Sequence, residues 1–216
     1  MIDVRGFTVG PIQENCYVVR RPDAASAVLV DPGAEPERLQ QALDSLGITD
    51  IPAILITHCH FDHVGAVKAM HELTGAPVYC PVLEREVLAD INAHVRLQGF
   101  GPFESYEADH TVAGGEALEL AGMTFDVLFT PGHSRGHVTY AVRDEDALLS
   151  GDVLFQGSVG RVDLPGGDWP TLLASIESLI DRFPPQTVVY PGHMGTTTLG
   201  HEQATNPFLR ELAQSS

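Results

Sequence analysis

Apolar and polar positions fall into short blocks whose period changes along the chain. Residues 2–9, 15–20 and 26–31 are rich in β-branched side chains and are broken at Glu14-Asn15, Pro22-Asp23 and Asp31-Pro32-Gly33, which predicts three short strands. Pro36 opens a helix that Gly47 closes, and Leu39, Ala42, Leu43 and Leu46 fall on one face of it. Residues 51–56 read as a buried strand. A helix over 64–74 follows, apolar at Val64, Val67, Met70 and Leu73 and stopped by Gly75. Residues 76–80 read as another strand, and Pro81 starts a helical stretch to about Ala89. Over 90–112 the period is lost, because Asn92, Gly99, Gly101 and Pro102 interrupt it, and a loop or short helix bordering a site is expected. Strands are predicted over 118–120, 123–129, 138–142, 147–149 and 187–190. A helix runs from Pro170 to about Phe183, ended by Pro184-Pro185, and a short helix finishes the chain.

Four of the apolar runs end in a short loop carrying a potential metal donor. Ile54 to Ile56 precede His58, Phe125 to Phe129 precede His133, Leu148-Leu149 precede Asp152, and Val188 to Tyr190 precede His193. Buried strands hold such loops rigidly. Gly132, Gly151 and Gly192 stand just before three of the donors, where a tight turn and close backbone approach are needed. The densest stretch is Thr57-His58-Cys59-His60-Phe61-Asp62-His63-Val64-Gly65. In an extended chain residues two apart point the same way, so His58 and His60 leave the strand together and Cys59 points away. Asp62 and His63 follow at the turn. Imidazole and carboxylate are the donor set of zinc and neighbouring transition metals.

This stretch resembles the signature of the metallo-β-lactamase fold superfamily. Within it the chain is most similar to the glyoxalase II-like (hydroxyacylglutathione hydrolase-like) branch, from Gly10-Pro11-Ile12-Gln13-Glu14-Asn15 to Asn206-Pro207-Phe208-Leu209. The resemblance implies an α/β (α+β) fold built as a four-layer αββα sandwich, with one domain over 1–216. The alternation of strands with two sets of helices fits the same architecture. By resemblance, His58, His60 and His133 hold one metal ion, Asp62, His63 and His193 hold a second, and Asp152 bridges them. Zinc is the expected metal, with iron or manganese accepted by the same donors. Two such ions share a water, lower its pKa and stabilise the oxyanion formed on attack, with Asp62 and Asp152 orienting the nucleophile. A thiolate leaves without a proton donor, so a thioester such as S-lactoylglutathione is the expected substrate. The alternatives are a mononuclear-iron persulfide dioxygenase, a lactonase, a β-lactamase, or a metal-binding protein without activity.

Further residues have two readings each. Asp31 either accepts from a metal-binding histidine or caps a turn. His137 either supports the centre or packs at a strand entry. Arg161 either grips a substrate carboxylate or pairs with Asp163 or Asp168, and Arg135 and Arg210 are weaker anion-binding candidates. His94 and His110 are read as surface histidines. Cys16, Cys59 and Cys80 are read as small buried side chains. Compared with full-length glyoxalase II enzymes, a compact form without the C-terminal helical domain is expected, and Met194 stands where the family often has glycine.

Composition narrows the partners. The 216 residues carry a formal charge of −17, with Lys68 the single lysine. Such a surface repels phosphate backbones, which weighs against nucleic acid and against the nucleases of this fold. An anionic small molecule is the expected partner. No apolar run is long enough to span a membrane. Met1-Ile2-Asp3-Val4-Arg5 is unlike a secretion signal, and three scattered cysteines make no disulfide framework, so a cytoplasmic setting is expected.

Overall fold

The computed structural model describes residues 1–95 and 99–209. Its first half forms one six-stranded sheet, from β1 (Asp3–Val9), β2 (Glu14–Arg20), β3 (Ser26–Val30), β4 (Asp50–Leu55), β5 (Val78–Pro81) and β6 (His110–Val112), side by side in that order. The first three strands are antiparallel, and β3 to β6 are parallel. Parallel neighbours need crossovers. These are supplied by α1 (Pro36–Ser45), by α2 (Phe61–Val64) with α3 (Val67–Thr74), and by a stretch holding α4 (Arg85–Ala89) and α5 (Ile91–His94).

The second half forms another six-stranded sheet. It consists of β7 (Ala117–Leu120), β8 (Met123–Phe129), β9 (Val138–Val142), β10 (Ala147–Gly151), β13 (Val188–Pro191) and β14 (Thr197–Thr198). A small hairpin, β11 (Leu154–Phe155) and β12 (Ser158–Val159), leads into α6 (Trp169–Arg182), and α7 (Leu199–Thr205) follows β14.

Alternation along the strands sets the layers. In the first sheet Val19, Val28, Val30, Ala53 and Leu55 face Phe125, Val127, Tyr140, Val142 and Leu149 of the second. Their neighbours Val18, Leu29 and Ile54 point the other way, onto Leu39 and Leu43 of α1, Val67 and Met70 of α3, and Leu88 of α4. On the far side Ala141, Leu148 and Val189 pack on Leu172, Ile176 and Leu179 of α6 and Leu199 of α7. The central strands are thus buried on both faces, which explains their near-continuous apolar runs. Each fully buried Val, Leu or Ile contributes about 1.5–3 kcal/mol. The four-layer αββα sandwich expected from the sequence is the observed fold.

Three local expectations need correction. The helix predicted over 64–74 is two helices, broken at Gly65-Ala66. A side chain at Gly65 would run into the Gly33 carbonyl, 2.5 Å from its Cβ position, and the chain turns there to pass Gly33. Glu14 does not break the chain: it opens β2 and is buried. The stretch 90–112 contains α5 and also the edge strand β6, whose three residues are too few to show a period.

Candidate metal centre

All four donor-bearing strands deliver their loops to one place. In the second sheet β8 and β10 are each antiparallel to β9, and β13 is parallel to β10, so β8, β10 and β13 run the same way. From the first sheet β4 reaches the same end. There Tyr140 donates its hydroxyl to the Ile56 carbonyl (2.8 Å), and Val138 N–H donates to the Thr57 carbonyl (2.9 Å). These bonds join the two sheets directly beneath the histidine-rich loop.

Seven side chains converge. His58 Nε2, His60 Nδ1 and His133 Nε2 form a triangle with sides of 3.0, 2.8 and 3.2 Å. Beside it, His193 Nε2 lies 3.2 Å from Asp62 Oδ2, and His63 Nε2 lies 3.9 Å from the same carboxylate oxygen. Asp152 reaches both groups. Its Oδ1 is 3.3 Å from His63 Nε2, and its Oδ2 is 3.4 Å from His133 Nε2 and 3.6 Å from His193 Nε2.

The distal ring nitrogens show which atoms are free for the centre. His63 Nδ1–H donates to Asp31 Oδ2 (3.1 Å), and His133 Nδ1–H donates to the Arg161 carbonyl (2.7 Å). Thr57 donates its hydroxyl to Asp31 Oδ2 (2.6 Å) and accepts from His58 Nδ1–H (3.1 Å). In all three rings Nε2 is left as a lone pair aimed inward. This pattern orients metal-binding histidines and raises their basicity.

Electrostatics divides the cluster in two. Burial, with neighbouring imidazoles adding to it, holds His58 well below the usual histidine range, and the same causes push His60 down to about 3. These nitrogens stay neutral and ready to donate. In the other group burial is opposed and outweighed by the carboxylates Asp152, Asp31 and Asp62, which raise His63. Asp152 is held far below the carboxylate range despite its burial, chiefly by His63 and His133.

The residues fit a pair of divalent cations. His63 Nε2 and Asp152 Oδ1 are buried and make no hydrogen bond, a costly state that a cation would relieve. Three neutral nitrogens about 3 Å apart would repel one another unless they share a positive ion. Their spacing suits an ion at the ~2.0–2.1 Å typical of zinc–imidazole bonds.

Other residues singled out in the sequence have definite places. Asp31 is buried and holds both Thr57 and His63. His137 lies under the centre. Its Nε2 accepts from Asp152 N–H (3.0 Å), so Nδ1 carries the proton and donates to Thr130 Oγ1 (3.1 Å). Arg161 pairs with Asp163 through two 2.7 Å hydrogen bonds, while Asp168 caps α6. Arg135 is exposed at the cavity rim, and Arg210 lies outside the described residues. Cys16, Cys59 and Cys80 are buried thiols, with Cys59 Sγ 3.5 Å from Cys80 Sγ. His110 is exposed on β6, and His94 is exposed but lines the cavity above the donors.

Sequence reasoning missed three contributors. Glu14 lies 3.7 Å from His63 Nδ1, and both its oxygens are buried without a partner. Asn15 donates through its side chain to the carbonyls of Pro191 (3.1 Å) and Met194 (2.9 Å), clamping the loop that bears His193. Met194, in that loop, has φ +68°, the region where glycine is favoured. Gly160 crosses so close to Asp152 that a Cβ would sit 1.9 Å from its carbonyl oxygen. Contacts of this kind join residues distant in sequence and leave no periodic signal.

His60, Asp62, His133, Asp152 and His193 form the floor of a cavity of about 740 Å³, with His58 and His63 buried behind them. Its remaining lining includes Ile12, Phe61, Leu83, Val87, Val95, Phe155, Leu164 and Met194.

Known proteins share this arrangement of chain. The profile of the Metallo-beta-lactamase superfamily matches residues 9–193. A protein of Bacillus subtilis named probable metallo-hydrolase YqgX is 42% identical, covering 95% of this chain and 96% of that protein. Hydroxyacylglutathione hydrolase GloC of Haemophilus influenzae is 32% identical, covering 96% and 98%. Among solved structures, the BLEG-1 B3 metallo-beta-lactamase is 44% identical with a TM-score of 0.90, covering 96% of this chain and 99% of that one. A di-iron-bound form of TTHA1623 is 43% identical with a TM-score of 0.84, covering 95% and 100%. From the donor-bearing strand ends to the full length of the sandwich, the chain belongs to the metallo-β-lactamase superfamily.

Proposed function

We propose that this protein is a binuclear metal-dependent hydrolase of the glyoxalase II-like branch, and that its reaction is thioester hydrolysis. The observation that carries the reading is the convergence of His58, His60, Asp62, His63, His133, Asp152 and His193, five of which (His60, Asp62, His133, Asp152 and His193) line an open cavity, with two buried donor atoms left unpartnered. In this reading His58, His60 and His133 would hold one ion, Asp62, His63 and His193 would hold the other, and Asp152, which reaches both groups, would serve the two. A bound pair of divalent ions supplies an activated water and a positive field for the developing oxyanion.

The protein's own groups orient and hold. Asp31 fixes the ring of His63, and the Arg161 carbonyl fixes that of His133. Asp62 and Asp152, whose carboxylates face the same spot, would accept hydrogen bonds from an attacking water and set its direction. His137 is not a proton donor to substrate, since both its ring nitrogens are engaged beneath Asp152. That favours a leaving group able to depart as an anion. A thiol, with a pKa of about 8.5, does so more readily than an amine or alcohol. The likeness to GloC supports the same choice, and S-lactoylglutathione is the first substrate to test.

A second reading has its own support. The likeness to BLEG-1 favours β-lactam hydrolysis on the same floor. The di-iron-bound relative brings iron forward beside zinc and manganese as the native metal. The deciding experiment is metal quantification on purified protein, then turnover of S-lactoylglutathione, a cephalosporin, an acyl-homoserine lactone and glutathione persulfide. About two ions per chain with thioester cleavage is the expected result. A single iron with oxygen uptake on the persulfide would overturn it. Among the described residues no helix is long and apolar enough to cross a membrane.

A further inference from the structure

The cavity above the donors is unequal in its chemistry. One side is an apolar wall whose residues all line the cavity: Leu83 in the 3-10 turn before α4, Val87 on α4, Ile91 at the start of α5 and Val95 just after it. Ile91 is anchored in the core, and Val87 and Val95 pack against that core. Leu83 is 53% exposed, and Met194, which also lines the cavity, is 57% exposed. Large apolar side chains left open around a catalytic floor mark a binding surface.

Positive charge on the cavity's side chains is sparse. Arg161 is neutralised by Asp163, Arg135 stands alone at the exposed rim, and Glu84 and Glu86 add negative charge along the wall. The lining offers no cluster of free cations, among the described residues, to hold the two carboxylates of a glutathione unit. In thioesters of the common biological thiols the carrier half is polar or charged, so the half able to cover an apolar wall is the acyl group.

We infer that the wall formed by Leu83, Val87, Ile91 and Val95 seats an apolar acyl chain, making this protein selective for aliphatic acyl thioesters over short hydroxyacyl ones. The inference rests on the hydrolase reading and narrows its substrate. A cavity of about 740 Å³ lies within the ~300–1,000 Å³ usual for sites that enclose a whole small molecule. Leu83 closes the outer end of the wall and grips the distal methylenes.

The test uses the full chain loaded with metal and a series of S-acyl-N-acetylcysteamines from acetyl to octanoyl, with S-lactoylglutathione alongside. The value of kcat/KM should rise about threefold to fourfold per methylene until the wall is covered. Leu83→Asp should lower the octanoyl-to-acetyl ratio about tenfold or more, and Leu83→Met should restore most of it. Calorimetry of the metal-loaded protein should show octanoate binding more tightly than butyrate, with that difference lost in Leu83→Asp. Cleavage of every thioester at one rate, or a preference for S-lactoylglutathione, overturns the inference and leaves the hydrolase reading standing. If no thioester is cleaved but octanoate binds with the predicted chain-length and Leu83 dependence, the thioester reading fails and the acyl wall stands. Neither turnover nor chain-length-dependent binding overturns both.

Discussion

The floor and the wall of the cavity are built on different principles. Floor donors sit at the ends of β4, β8, β10 and β13, strands packed on both faces, and the rings of His58, His63 and His133 are tied by Thr57, Asp31 and the Arg161 carbonyl. The wall is made of short helical pieces, two of them α4 and α5, anchored through Leu88 and Ile91. The floor tolerates little movement because His58, His63 and His133 are fixed from behind and the Asp152 backbone is held by His137. The wall touches the donor loops at few points, among them the bond from Gly136 N–H to Glu84, so its apolar side chains are expected to be exchangeable with the donors left in place. On the function proposed above, chemistry belongs to the rigid part and selection to the adaptable part.

That division can be broken by substitution. Asp152→Ala should have the largest effect, abolishing turnover and lowering metal content, read by kinetics and metal analysis; unchanged activity would refute its place between the two donor groups. Gly192→Ala comes next. Its Cβ would lie 2.2 Å from Asp152 Oδ1 and 2.6 Å from His63 Cε1, so both donors must shift. A displacement of that order costs about a hundredfold in rate, and wild-type kinetics in this variant would show the floor to be softer than described. Asp31→Asn removes the charge that orients His63 and should weaken metal affinity by about 10–100-fold, measured by chelator competition. Leu88→Ala tests the wall's anchor. It should cost about 2–5 kcal/mol of stability in denaturant melts while bound metal stays at the wild-type ratio. A loss of metal there would tie wall and floor together.

The two regions also differed in how far they could be read from the chain. Seven donors stand out because apolar runs end next to them and because His58 to His63 crowd four donors into six positions. The layers follow from the same runs, since strands buried on both faces must be apolar throughout. The wall was half legible: the helical stretch from Pro81 to about Ala89 covers Leu83 and Val87, but Asn92 interrupts the period beyond it and nothing in the pattern shows which face meets the cavity. Supporting contacts were least legible. His137 holds the Asp152 backbone only because β9 runs beside β10, and Glu14 is buried only because its strand passes behind His63. Such roles arise from tertiary neighbours. Arg161 shows the reverse case, where the side chain drew attention but the backbone carbonyl holds His133.

The two sheets are contiguous halves of the chain, meeting near Gly114-Gly115 between β6 and β7. His58, His60, Asp62 and His63 come from one half, and His133, Asp152 and His193 from the other. A cut between those glycines would yield two fragments, each with an incomplete ligand set and an uncovered sticky face. The centre would then behave as a logical AND, reporting only when both fragments reunite.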